Sequence, residues 1–369
     1  MLSVPFKKLT LISVAVVSTA QNYYVDAENS EMLRFGDYHR PVRKEVVLPR
    51  QVGGYNVYKS DLHTHSVYSD GTVTPQFRIK EAWLEGMDVI AVTEHIEYRP
   101  FDKEFGEYLQ ADLTKDRDLN TSVRHAQREG AYWDIFIIPG TEITRHGRTV
   151  GHFNALFTVD NNKIYDDDPV QAIRNAKSQG ALVMHNHPGW IRTNIDFTET
   201  EKIAYEEGLI DGVEVINHSE FYPGIIDRVR EYGLFIAANT DVHASSAEDF
   251  NKYGYMRPMT LIFATERSEA ALREALEAGR TLAFGFNTLC GSESLLVDFF
   301  TASVSVKRLS DNACMLTNET AVPYVIQFGD SNPVHLDPFS TIRVGGNLEF
   351  KVLNMFCGKD AHPVVKLSF

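Results

Sequence analysis

The chain is 369 residues long, 43% hydrophobic and 23% charged, with a formal net charge of −14. That length exceeds one small core and suits two domains, and the composition is that of a globular chain. The acidic balance excludes binding driven by non-specific attraction to nucleic acid or anionic lipid. A small anionic substrate remains open only where local positive charge, such as metal, overrides the net field.

Lys7 and Lys8 precede "LTLISVAVVSTA", which ends in a small-residue Ser-x-Ala pattern at Ala20. This predicts an export signal over residues 1–20, a mature chain starting at Gln21, and a secreted or periplasmic protein. Residues 21–50 are polar and irregular and read as an N-terminal arm. From about 55 to 288, β-rich runs alternate with amphipathic stretches. The strand candidates are "YNVYKSDL", "DVIAVTE", "DIFIIPGTE", "HFNALFTV", "ALVMHN", "GVEVIN" and "LFIAANTD". Helical patterns between them include "TPQFRIKEAWLEGM", "PVQAIRNAKSQG" and "IIDRVREYG"; "SEAALREALEAGR" follows the last. Seven strands alternating with helices predict an α/β barrel or a doubly wound sheet over 51–290. Only nine residues separate Glu142 from His152. A parallel crossover needs a dozen or more, so the fourth strand should run antiparallel to the third. Beyond 290, strand-like runs from "LLVDFFTASVSVK" to "PVVKLSF" follow one another with no helical pattern, which predicts a small β-sandwich over 291–369. Three cysteines, Cys290, Cys314 and Cys357, form no CxxC pair, so zinc-finger and thioredoxin chemistry have no support.

Ten of the thirteen histidines lie between His63 and His243, and several fall where a strand pattern ends. His63 and His65 end the first strand, His95 the second, Glu142 the third, His185 and His187 the fifth, Asp241 and His243 the seventh. His152 begins the fourth, and an antiparallel fourth strand puts its start at the same rim as Glu142. Alternate residues on a strand share a face, so each pair spaced by one residue can hold one ion together. Asp70, after the turn "YSDG", can fold back over that rim. Chemistry in α/β barrels gathers at the C-terminal ends of strands. Imidazoles mixed with carboxylates, and no thiolate, suit zinc, manganese or iron rather than calcium.

In this order, "DLHTHSVYSDG", "AVTEH", "PGTEI", "GHFNAL", "HNHPG", "VEVIN" and "NTDVHA" resemble the motifs of the PHP (polymerase and histidinol phosphatase) family over residues 55–288. The resemblance implies a distorted (βα)7 barrel, up to three divalent ions at one rim, and phosphoester hydrolysis. It implies metal ligands at His63, His65, Asp70, His95, Glu142, His152, His187, Asp241 and His243. His63, His65, Glu142 and Asp241 would hold one ion. Glu142 would bridge to a second held by His152 and His187, and Asp70, His95 and His243 would hold a third. Glu142 and Asp241 are the carboxylates expected to be catalytic. Glu94 stands in "TEH" where the family has "TDH", which bears on geometry more than on metal binding.

No GxSxG, HExxH or Walker loop occurs. The expected nucleophile is therefore a hydroxide shared between two ions, with no protein nucleophile. Arg99, Arg145, His185 and His218 are candidate substrate contacts, with His146, Asn186, Trp190 and Arg192 near them. The expected substrate is a small organic phosphoester, a diester before a monoester because few cationic clamps stand near the rim, and not nucleic acid; no membrane span is expected. Two other classes remain: a metal-dependent amide or lactone hydrolase, and a non-catalytic metal-binding module. Related amide and lactone hydrolases often bridge their metals with a modified lysine, but here the candidate bridge is Glu142.

Overall fold

The computed structural model describes residues 41–104, 118–250, 254, 256–310, 313–345 and 349–367. The expected export signal, and the expected arm up to residue 40, lie outside the described residues. Lys44–Phe369 forms one compact unit.

All seven expected strands are present: Tyr55–Asp61, Val89–Val92, Phe136–Thr144, His152–Leu156, Leu182–Asn186, Gly212–Asn217 and Phe235–Asn239. Neighbouring strands pair in sequence order. The fourth runs antiparallel to both the third and the fifth, and the other pairs are parallel. The short connector after Glu142 thus fixes the strand direction as its length predicts. The helices between strands begin where their sequences allow. Thr74 accepts a hydrogen bond from the Phe77 N–H and is followed by Pro75 at the first helical position. Asp168 and Pro169 repeat the device, and Thr198 with Glu201 forms a reciprocal capping box.

Beyond the seven and three two-residue strands, the sheet gains Met259–Ala264, Thr281–Gly285 and Thr288–Cys290. They continue the sheet antiparallel from the first strand. The first two are buried along their whole length, and unlike most of the seven they do not run into imidazoles or carboxylates that would mark their ends in the sequence. They curl the sheet back toward the seventh strand, but no backbone ladder closes the seam. Two threonine hydroxyls bridge it instead. Thr260 Oγ1 accepts the Ala238 N–H at 3.0 Å and donates to the Ala238 carbonyl at 3.0 Å. Thr281 Oγ1 does the same for Ile236, at 3.1 and 2.8 Å.

Inside the curled sheet, Val89, Ile138, Leu182, Met184, Phe235 and Ile262 pack into an apolar floor. Toward the C-terminal ends of the strands the same face turns polar, carrying Glu142, Asn154, Asn186, Glu214 and Asn239, all buried. The outer face packs on the helices.

After Cys290 the structure departs from expectation at one element. "ESLLVDFFTAS" is a helix, Glu293–Ser303, and only Val304–Ser310 extends. Ser292 caps it by accepting the Leu295 N–H, and Leu296, Phe299, Phe300 and Ser303 are its buried face. The 3.6-residue period is blurred because the half-buried positions Leu295 and Val297 are apolar too. Two antiparallel sheets follow. One contains Val304–Ser310, Ala313–Asn318 and Thr341–Gly345. The other contains Val334–Leu336, Tyr324–Gln327, Glu349–Val352 and Val364–Lys366. Their apolar side chains and those of the helix share one core with the outer barrel face. The three cysteines are unpaired. Among the described residues no helix is long and apolar enough to cross a membrane.

Candidate metal centre

The first strand ends at Asp61, whose carboxylate accepts the His63 N–H and the Thr240 hydroxyl and pairs with Arg257. His63 and His65 follow, both buried. The chain then turns sharply. A Cβ at Gly71 would stand 2.7 Å from the Ser66 nitrogen, so only glycine lets Asp70 fold back over the rim. Glu94 holds this loop by accepting from the Ser66 N–H at 3.0 Å and the Ser69 hydroxyl at 2.6 Å. It positions the turn and stands outside the cluster. Arg78, also buried, donates to the carbonyls of His65, Val242 and His243 at 3.1, 3.1 and 3.2 Å.

All nine residues expected at the rim converge. Nε2 of His63 and of His65 each lies 3.1 Å from Asp241 Oδ1, and 3.5 and 3.4 Å from Glu142 Oε2. His152 Nδ1 is 3.0 Å from Glu142 Oε1, and His187 Nε2 is 3.9 Å from it and 3.7 Å from Asp241 Oδ2. His95 and His243 place Nε2 3.3 and 3.1 Å from Asp70 Oδ1. Donor atoms within 4.8 Å of one another form three groups: His63, His65 and Asp241; His63, Glu142 and His187; and His65, Asp70, His95 and His243.

Buried polar atoms in this cluster make no hydrogen bond: His63 Nε2, His65 Nε2, Asp70 Oδ1, Glu142 Oε2 and His152 Nδ1. Leaving such atoms unpartnered in the interior is costly. A divalent cation among them removes that cost, and a nitrogen and oxygen donor set without thiolate fits such an ion.

The rings are oriented from behind. His63 Nδ1 contacts Glu214 Oε1 at 3.0 Å. Glu214 in turn accepts from Asn239 Nδ2, the His187 N–H and Asn217 Nδ2 at 2.9, 2.7 and 2.8 Å. His152 Nε2 meets the Arg145 carbonyl at 2.7 Å, which leaves Nδ1 for the cluster. Asn186 Nδ2 donates to Glu142 Oε1 at 2.9 Å. Glu214 was missed from the sequence, although a lone acid inside the apolar strand "GVEVIN" is a usable signal. His187 and Asp241 sit at positive φ, 25° and 52°, in the left-handed region that non-glycine residues rarely enter.

Burial alone would raise the carboxyls of Glu142 and Asp241, yet the imidazoles around them hold both well below the ordinary range. Burial would lower His95, but Glu142 and Asp70 push it up to about 10. Burial and neighbouring imidazoles hold His65 and His187 at about 3.

A cavity of about 840 Å³ opens over the cluster. Of the outer candidates, His146, Trp190 and His218 line it. Arg145 lines it too, but its guanidinium is engaged by Glu97 and the Asp166 carbonyl. Arg99 does not line it; its Nε donates to both oxygens of Asp102, at 3.1 and 3.2 Å. His185 is not a cavity residue either. It lies on the outer face of its strand, buried, 3.0 Å from Glu201 and 3.1 Å from the Tyr205 hydroxyl. Alternation puts Asn186, not His185, on the cluster face. Arg192 is held by both oxygens of Glu201, at 2.6 and 3.0 Å.

A family model described as the PHP domain matches residues 61–255, more than half of the chain. An uncharacterised protein of Methanocaldococcus jannaschii is 24% identical over 199 residues, covering 50% of this chain and 81% of its own. A crystal structure from Bacteroides vulgatus, described as a two-domain protein containing a predicted PHP-like metal-dependent phosphoesterase, is 32% identical. It superposes with a TM-score of 0.82 over 89% of this chain and 100% of its own. With its motifs in order and their side chains in one cluster, this chain belongs to the PHP-domain family of metal-dependent phosphoesterases.

Proposed function

We propose that this protein hydrolyses a small organic phosphoester, a diester in preference to a monoester, at a centre of two or three divalent ions. The observation that carries this is the convergence, at and beneath the floor of the cavity, of imidazole nitrogens and carboxylate oxygens that make no hydrogen bond. His63, His65, Glu142 and Asp241 would hold one ion. Glu142 would reach a second with His152 and His187, and Asp70, His95 and His243 would hold a third. Such ions supply Lewis acidity toward phosphate oxygens and activation of water near neutral pH. Within the chain, Glu214 and the Arg145 carbonyl fix the faces of His63 and His152, and Asn186 fixes Glu142. The preference for a diester is supported by the cavity's lack of an uncommitted guanidinium or ammonium among the described residues. A diester carries one negative charge fewer than a monoester and needs fewer cations.

Metal analysis of the purified protein should find at least two divalent ions per chain. Aryl phosphodiester should be turned over faster than aryl phosphomonoester with manganese or zinc added. A clear monoester preference reverses the diester assignment, and preference for single-stranded DNA over both sinks the small-substrate one.

A further inference from the structure

We infer that Trp190 and Ile191 form a specificity shelf in the cavity, on which a flat, aromatic or heterocyclic organic group of the ester rests. The carboxylates elsewhere in the cavity lining select against a second anionic group on that substrate. The inference rests on the phosphoesterase reading and names its substrate class.

The indole of Trp190 lies against two candidate ligands, with ring centroids 5.2 Å from His152 and 5.3 Å from His187. It is nevertheless 40% exposed, and Ile191 beside it is 44% exposed. Ile191 has φ 53°, a conformation strained for a β-branched residue. Such strain persists only where the surroundings over-determine it, and it clusters at ligand sites. Here the surroundings do over-determine it. Arg148 Nε donates to the Ile191 carbonyl at 3.0 Å, and Arg192 Nε donates back to the Gly147 carbonyl at 2.7 Å. Each loop is thus laced to the other, and Arg192 is anchored on buried Glu201. At Gly147 a Cβ would meet the Trp190 ring at 2.8 Å, so the glycine keeps the slot in which the indole sits. The arrangement holds an apolar plane rigidly next to a polar centre and leaves its open side to the cavity. Aromatic faces take up flat rings with little regard to their substituents.

Charge narrows the class. Asp70, Glu97, Glu220 and Asp241 line the cavity, whereas its lining guanidinium, Arg145, is committed to Glu97. No lysine lines it among the described residues. A phosphate can be met by ions at the floor; a second anion higher up would meet carboxylates.

The test uses phosphonates, which cannot be hydrolysed, on the manganese-loaded full chain. Calorimetry should show phenylphosphonate binding about tenfold more tightly than methylphosphonate, and 4-carboxyphenylphosphonate more weakly than phenylphosphonate. The phenyl preference should survive in Trp190→Phe and collapse in Trp190→Ala at unchanged metal content. Phenylphosphonate should also change indole emission in the wild type but not in Trp190→Phe. Equal affinity for phenyl and methyl, a preference that survives Trp190→Ala, or tighter binding of the carboxylated probe overturns the shelf. Should Trp190→Ala shed metal, the comparison of wild type with Trp190→Phe and the emission change still decide. Loss of the phenyl preference with ester hydrolysis intact removes the shelf alone. A phenyl preference without hydrolysis of any ester removes the phosphoesterase reading alone.

Discussion

Glu142 lies within 3.9 Å of five imidazoles, those of His63, His65, His95, His152 and His187. Replacing it by glutamine keeps the shape and the Asn186 contact but removes the charge that two of the proposed ions share. Glu142→Gln should lower turnover by at least about a hundredfold and lower metal content, while the circular dichroism spectrum stays that of the wild type. Glu214→Gln acts one layer out, through the His63 ring, and should cost about 10- to 100-fold in metal affinity. Near-wild-type turnover with full metal content in Glu142→Gln would refute the bridging assignment. The nine cluster residues were legible because imidazoles and carboxylates at strand ends are few and chemically unlike their neighbours. His185 misled because the strand spelling "MHNHP" offers two histidines on opposite faces. Arg99 misled because sequence does not show that Asp102 engages it, whereas Arg145 does line the cavity, paired with Glu97.

At the scale of elements, the helix Glu199–Glu206 does more than pack. Its Glu201 caps the helix, holds Arg192 and contacts His185, fully buried. Burial would raise the Glu201 carboxyl, but His185, Arg192 and the Thr198 N–H bring it down to about 2. Burial meanwhile lowers His185, so the charge partner at neutral pH is Arg192. A carboxyl depressed in the folded state contributes stability that is full above its unfolded value, near 4.5, and is lost as pH falls toward about 2. The wild type should therefore lose unfolding free energy across that window. Glu201→Gln should be less stable at pH 7 and show a flatter dependence below 4.5, measured as urea midpoints against pH. Parallel curves would show that Glu201 is not the group responsible. The seven strands could be read because most of them run into imidazoles or carboxylates at the rim. The strands Met259–Ala264 and Thr281–Gly285, as buried as most of the seven, carry no such ending, and in the helix Glu293–Ser303 the half-buried Leu295 and Val297 blur the period.

For the whole molecule, among the described residues none beyond His243 lines the cavity over the cluster. The sheets after Ser303 join the outer barrel core and stay away from the centre, with His362 turned to the Met355 carbonyl and the Phe356 ring. His335→Ala and His362→Ala should leave turnover on an aryl phosphodiester within about twofold of wild type, and a large loss at either would give this region a place in the chemistry.

The seam of the barrel has a mechanical consequence. Its lower part is bridged by the hydroxyls of Thr260 and Thr281. Its upper part is held by the bridge between Thr64 and Val242, by the Asp241, His65 and Thr72 N–H groups on the His63, Val242 and His243 carbonyls, and by Arg78, which donates to carbonyls on both lips. The proposed ions would sit directly above, gripping His63 and His65 on one lip and Asp241 and His243 on the other. They would add a rivet across the line that, among the described residues, has hydrogen bonds but no continuous backbone ladder, so a chelator would loosen the cylinder along that line as well as silence it.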